Sequence, residues 1–123
     1  MVKQMCCPLE LLMGHISAQL TIYILWILSS HGELHFGELK RKVNGISSKV
    51  LADRLRLLES IQLVSRQVEH GTVPRVAYRL TERGNQISEV IDSLYEYAVE
   101  WYGNESSFPH KSHQKNYASV LAL

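Results

Sequence analysis

The stretch "KVNGISSKVLADRLRLLES" at 42–60 holds residues whose types and spacing could do chemistry. Lys49, Asp53 and Arg56 fall three and four apart. In a helix they share one side with Ala52, while Leu51, Leu55 and Leu58 take the other. A guanidinium at Arg56 matches the paired acceptors on a guanine edge, and a carboxylate at Asp53 can accept from the amino group of cytosine. Ser47 and Ser48 stand where a helix start, with its free N–H groups, receives a phosphate; Ser47 is equally suited to cap that helix. The plain alternative is a Lys49–Asp53 surface pair with no ligand. Lys40, beside Arg41 and Lys42, suits neutralising a phosphate backbone without reading sequence.

Cys6 and Cys7 form a second group. Adjacent cysteines offer neither a disulfide framework nor the spacing of a structural zinc site. Cys7 precedes Pro8 and a helix start, which favours a reactive thiolate; a small packing residue is the other reading. His31, His35, His110 and His113 are too dispersed for a metal site. No nucleophile–base pair, paired carboxylates or phosphate-binding glycine loop is visible, so neither an enzyme nor a cofactor is expected.

The elements that must hold these residues can be read from the same chain. Pro8 opens a short helical stretch over Leu9 to Met13. Residues 17–29 spell a strongly apolar helix for the centre of the core, ended by His31-Gly32. "ELHF" at 33–36 suits a short strand, followed by a helix at 37–43. Asn44-Gly45 supplies residues tolerant of positive φ, Ser47 restarts a helix, and Ile46 with Leu51 makes a hydrophobic staple. Two short helices joined by a tight turn are a helix-turn-helix. After Gln62 the period changes to alternation: "LVSRQVE" and "VAYRLT" flank the loop "HGTVPR", with Val76, Tyr78 and Leu80 on one face. A β-hairpin behind such a helix is a wing, and Arg75 at its base suits a phosphate or minor-groove contact. Thr81 caps a last helix from 82 to about 102, whose Ile87, Ile91, Leu94, Ala98 and Trp101 form an apolar stripe that needs a cover. From 103 to 123 the sequence is polar and ends on "YASVLAL", a tail expected to be mobile.

Composition narrows the classes. With 46% apolar and 20% charged residues the chain reads as one soluble domain, and its apolar run "LTIYILWIL" at 20–28 is too short for a bilayer. No export signal is visible, so a cytoplasmic location without a membrane is expected. The net charge of +1 hides an asymmetry: six basic residues against Asp53 alone between Lys40 and Arg56, then five acids without lysine or arginine from Asn85 to His110. A basic cluster on a helix-turn-helix points to nucleic acid.

Cys7-Pro8, "HFGELKRKVNGISSKVLADRLRLLE" at 35–59, "LVSRQV" at 63–68 and "VPRVAYRLTERG" at 73–84, in this order, resemble the HxlR-type winged-helix regulators of bacteria and archaea. The resemblance spans roughly residues 6–102. It implies a dimeric transcription regulator whose first and last helices pair across a two-fold axis. Leu9 and Leu12 would then join Ile87, Ile91, Leu94, Ala98 and Trp101 in the interface. It also implies a possible oxidant or electrophile signal, which several relatives sense through a cysteine at the position of Cys7. The chain departs from the pattern at four places. Ala18-Gln19-Leu20 replace Gly-Lys-Trp, and Leu34-His35 stand where an arginine often precedes Phe36. Gln62 replaces a glycine after the recognition helix, and Ala77 replaces an acid after "P-R-V".

The expected molecule is therefore mainly α within the α+β class. It is a winged helix-turn-helix with a two- to three-stranded wing and terminal dimerisation helices in residues 1–102. Its expected partners are double-stranded DNA, read at an operator with inverted half-sites, a second copy of itself, and a small-molecule or oxidant signal. A winged-helix protein-interaction module is the competing function.

Overall fold

The computed structural model describes residues 7–103. Cys6 and the tail beyond Gly103 lie outside the described residues. In chain order the elements are α1 (Pro8–Ile16), α2 (Thr21–His31), β1 (Leu34–His35), α3 (Phe36–Lys42), α4 (Ser48–Ser60), β2 (Val64–Glu69), β3 (Arg75–Leu80) and α5 (Glu82–Tyr102).

The core is organised on α2. Tyr23, Ile24, Leu25, Trp26, Ile27 and Leu28 are all 4% exposed or less, so this helix is surrounded rather than amphipathic. It starts four residues later than its apolar pattern suggests. Leu20 adopts φ 70° immediately before Thr21, and the chain turns there. Gly32, at φ 78°, ends α2 with its N–H on the Leu28 carbonyl. Among the described residues no single helix is long and apolar enough to cross a membrane.

The helix-turn-helix is α3 and α4. Gly45 takes φ 86° in the turn between them, and the Ser47 hydroxyl accepts from the Val50 N–H at 3.1 Å. Ile46 and Leu51, the two staple positions, are both buried. Leu51, Leu55 and Leu58 carry α4 onto the core.

At its far end α4 closes in a Schellman arrangement. Leu63 N–H reaches the Leu58 carbonyl at 2.9 Å, and Gln62 N–H reaches Glu59 at 3.0 Å. Gln62 sits at φ 65° in this motif, the left-handed position for which the missing glycine was expected to matter.

The sheet runs β1-β3-β2, all antiparallel. Tyr78 is buried in the core with Val76 and Leu80 packed against it on one face of β3, and Ala77 is buried as well. The corner into α5 is tightly bonded. Thr81 N–H donates to Leu63 O at 3.0 Å, its hydroxyl donates to Gln62 O at 2.6 Å, and the same hydroxyl accepts from Gly84 N–H at 3.0 Å. The recognition helix, the wing and the last helix therefore meet at one point.

Candidate nucleic-acid interface

The α4 side chains expected to face a ligand do point away from the core. Lys49 and Arg56 are largely exposed and Asp53 is half-buried. Asp53 holds both cations: Lys49 Nζ is 3.1 Å from one carboxylate oxygen, and Arg56 donates to the other. The Lys49 hydrogen bond, with Arg56 adding to it, keeps the Asp53 carboxyl below its usual range. The surface pair foreseen as the plain alternative thus exists, enlarged to a fork of two cations on one carboxylate. Ala52 lies beside it, half-buried. Ser47, Ser48 and Lys40 are exposed. Arg54 turns sideways, its Nε donating to the Gln19 carbonyl at 3.0 Å, and so ties the turn before α2 to α4.

Arg75 begins β3 and is exposed, but it is not alone. One of its terminal nitrogens lies 3.2 Å from His35 Nδ1. His35 Nδ1 is also 3.1 Å from Glu38 Oε1, and His35 Nε2 is 2.8 Å from Glu69 Oε1. Glu38 additionally accepts from the His35 backbone N–H at 2.8 Å. This group joins α3, β1, β2 and β3, and the sequence did not disclose it. His35 is opposite Ala77, and Arg75 is opposite Glu69. The imidazole therefore reaches Glu69 across a central strand that carries only a methyl group there. The only signal available was Ala77, an alanine where an acid was expected. Among the described residues no group of histidine, cysteine or acidic side chains could hold a metal ion.

The expected interface stripe on α5 divides. Ile91 is 6% exposed and belongs to the subunit's own core, so its assignment to a dimer contact is corrected: the helix turns this position onto α2. Ile87 packs partly on the same core, and Ala98 is half-buried. Leu94 and Trp101 remain exposed, flanked by Val90, Tyr97 and Tyr102. On α1 Leu9 is exposed, while Leu12 rests partly on the core. Between α2 and α5 lies a cleft of about 480 Å³ lined by Leu20, Tyr23, Trp26, Leu94, Tyr95 and Ala98. Trp26 stacks on Tyr95 inside it, with ring centroids 5.2 Å apart. Cys7 is exposed at the cap of α1, with its thiol free.

A turn glycine, a recognition helix and a strand-paired hairpin in this order define a winged helix-turn-helix regulator that binds DNA. The chain belongs to the HxlR-like helix-turn-helix family, whose model matches residues 15–106. It is 32% identical over 94 residues to the regulatory protein MalR of Fusobacterium mortiferum, covering 76% of this chain and 89% of that one. It is 34% identical over 110 residues to an HTH-type transcriptional regulator of Methanothermobacter thermautotrophicus, covering 89% and 76%. Among solved structures it is similar to a MarR-family transcriptional regulator of Porphyromonas gingivalis W83, with TM-score 0.73, 29% identity, and 81% and 97% of the two chains covered. It is also similar to the reduced form of the regulator YodB of B. subtilis, with TM-score 0.68, 29% identity, and 84% and 100% covered. YodB has a quinone-bound form as well.

Proposed function

We propose that this transcription regulator works as a homodimer on an operator of two inverted half-sites. The helix α4 enters the major groove and the β2–β3 wing lies along the neighbouring backbone. The observation that carries this reading is the division of the exposed surface. The free face of α4 is polar and cationic, while the free faces of α1 and α5 present Leu9, Leu94, Tyr97 and Trp101.

Arg56 reads a guanine edge, and Asp53 holds the guanidinium in place before contact or accepts from a cytosine. Lys49 and Ala52 line the groove. Ser47 and Ser48 meet a phosphate at the helix start. The capping bond uses an oxygen lone pair of Ser47, so its proton stays available to a phosphate. Lys40 and Arg75 neutralise backbone. The functional domain we propose is residues 1–102, and the polar stretch 103–123 follows it in the sequence.

Selection of bound sequences from random duplex DNA tests the reading and defines the site. On the selected duplex, Arg56→Ala is expected to cost about 1–3 kcal/mol and to relax preference at one base position. Lys40→Ala should weaken all sequences alike and reduce the salt slope by about one unit per bound subunit. An Arg56→Ala protein with unchanged affinity and preference means that the outward face of α4 has another role. A chain that retains its partners but binds duplex without steep salt dependence would instead be a protein-interaction module.

The signal is an oxidant or electrophile received at Cys7. Support comes from its exposed thiol at the start of α1, and from the likeness to a regulator known in reduced and quinone-bound forms. Diamide or a quinone should lower operator affinity, dithiothreitol should restore it after diamide, and Cys7→Ser should abolish the response. Cys6→Ser should matter less. A Cys7→Ser protein that responds like the parent moves the signal elsewhere, the aromatic cleft between α2 and α5 being the next place to look.

A further inference from the structure

His35 Nδ1 lies between an acceptor and a donor, Glu38 Oε1 at 3.1 Å and the Arg75 guanidinium at 3.2 Å. One nitrogen cannot serve both. A doubly protonated imidazole donates from both ring nitrogens, to Glu38 and to Glu69, and repels Arg75. A neutral imidazole with its proton on Nε2 still donates to Glu69, but its Nδ1 now accepts from Arg75. We infer that His35 is the positioning residue of the wing: protonated, it clamps β2 to α3 and releases Arg75 toward the DNA backbone; neutral, it retains Arg75 on its own ring. This rests on the reading of Arg75 as a backbone contact.

The groups that face the imidazole are Glu38 from α3, Glu69 from β2 and Arg75 from β3, with Glu33, just before β1, acting on Glu69. The Glu69 hydrogen bond, then that of Glu38, raises the His35 pKa above its ordinary value, against partial burial and Arg75. Stability gained through His35 is therefore complete below the free imidazole value of about 6.5 and is lost as pH climbs through the raised folded value. Operator binding should follow the same direction across that window. His31 is shifted the opposite way, by burial and then by Lys42, so its titration falls at lower pH.

Affinity for the selected duplex, measured at pH 6.0 and 8.5 at fixed ionic strength, tests the inference. The parent should bind roughly five- to tenfold tighter at the lower pH for each half-site occupied, the size of one neutralised phosphate near 0.1 M salt. His35→Gln, which mimics the neutral ring, should bind weakly at both pH values, and Arg75→Ala should do the same. The double variant should be no weaker than either. A His35→Gln protein that keeps the parent's pH profile overturns the inference. Without DNA, the ring resonance of His35 is followed by NMR through a pH titration. Its midpoint should fall in Glu69→Gln and rise in Arg75→Ala, and midpoints unmoved in both overturn the coupling itself. If Arg75→Ala binds DNA like the parent while those midpoints move, the coupling stands and the reading of Arg75 as a backbone contact fails.

Discussion

Gly84→Ala should destabilise the protein by about 3 kcal/mol or more, the upper range for overpacking a closed site. A Cβ built on Gly84 lies 2.1 Å from the Leu63 carbonyl oxygen and 3.1 Å from a Leu80 methyl. The methyl can shift, but the carbonyl cannot retreat. Leu63 O is the acceptor for Thr81 N–H, and Leu63 N–H completes the Schellman closure of α4. The methyl group must therefore separate α5 from the end of the recognition helix or break the bonds of the corner. Against a total stability of about 5–15 kcal/mol for a domain, such a loss is large. Thermal unfolding should show a fall of about 10–15 °C. Gly14→Ala, in α1 with nothing within 4 Å of the added carbon, is the control. It should be neutral or stabilise by about 0.5–1 kcal/mol, as helix propensity dictates. Equal melting temperatures for the two variants would show that the corner yields and that Gly84 is there for another reason.

Leu94→Glu should convert the protein to monomers at micromolar concentration and weaken operator binding on the order of 10²–10⁴-fold. The second figure follows from losing the effective concentration that links two half-sites. Leu94 is 56% exposed within one chain, next to Tyr97 and Trp101, at the rim of the α2–α5 cleft. A carboxylate there costs little in a lone subunit and much in a contact that excludes water. Val73→Glu, on the wing loop, exposes as much apolar surface in the parent and should leave sedimentation unchanged. A parent protein that already sediments as a monomer at micromolar concentration removes the basis of the dimer reading.

The order of elements was legible because each carries a local device. Pro8 begins α1, Gly32 ends α2, Gly45 turns the chain, and Ser47 and Thr81 cap helices, all through contacts within a few residues. The α4 face was legible for the same reason, since helical spacing alone sorts Leu51, Leu55 and Leu58 from Lys49, Asp53 and Arg56. Three things were not. The start of α2 was set too early because Leu20, an ordinary apolar residue, takes a left-handed conformation that no propensity announces. The His35 group was missed because it depends on a two-residue strand pairing with a partner more than 40 positions away. Only the register of β1 on β3 brings His35 beside Ala77 and within reach of Glu69. For α5 the periodicity found the apolar positions but could not divide them, since Ile91 faces α2 and Leu94 does not.

The corner where Leu63, Thr81 and Gly84 meet makes α4 and α5 behave as a bent lever. With 21 residues, α5 is about 30 Å long. A pivot of about 5° at its exposed end therefore displaces the corner by about 2–3 Å at that length. The recognition helix is bonded to that corner and travels with it. Half-sites on DNA lie one helical turn apart, and a pair of subunits must present two recognition helices at that distance. In the proposed dimer, whatever alters the angle at which two copies of α5 cross would thus change a length measured along DNA, with no rearrangement inside the wing or the helix-turn-helix. The aromatic cleft, lined by Leu94, Tyr95 and Ala98, lies along the far half of this lever, where a small push is magnified, whereas Pro8, next to Cys7, lies beside Gln62, Leu63 and Arg83 at the corner itself.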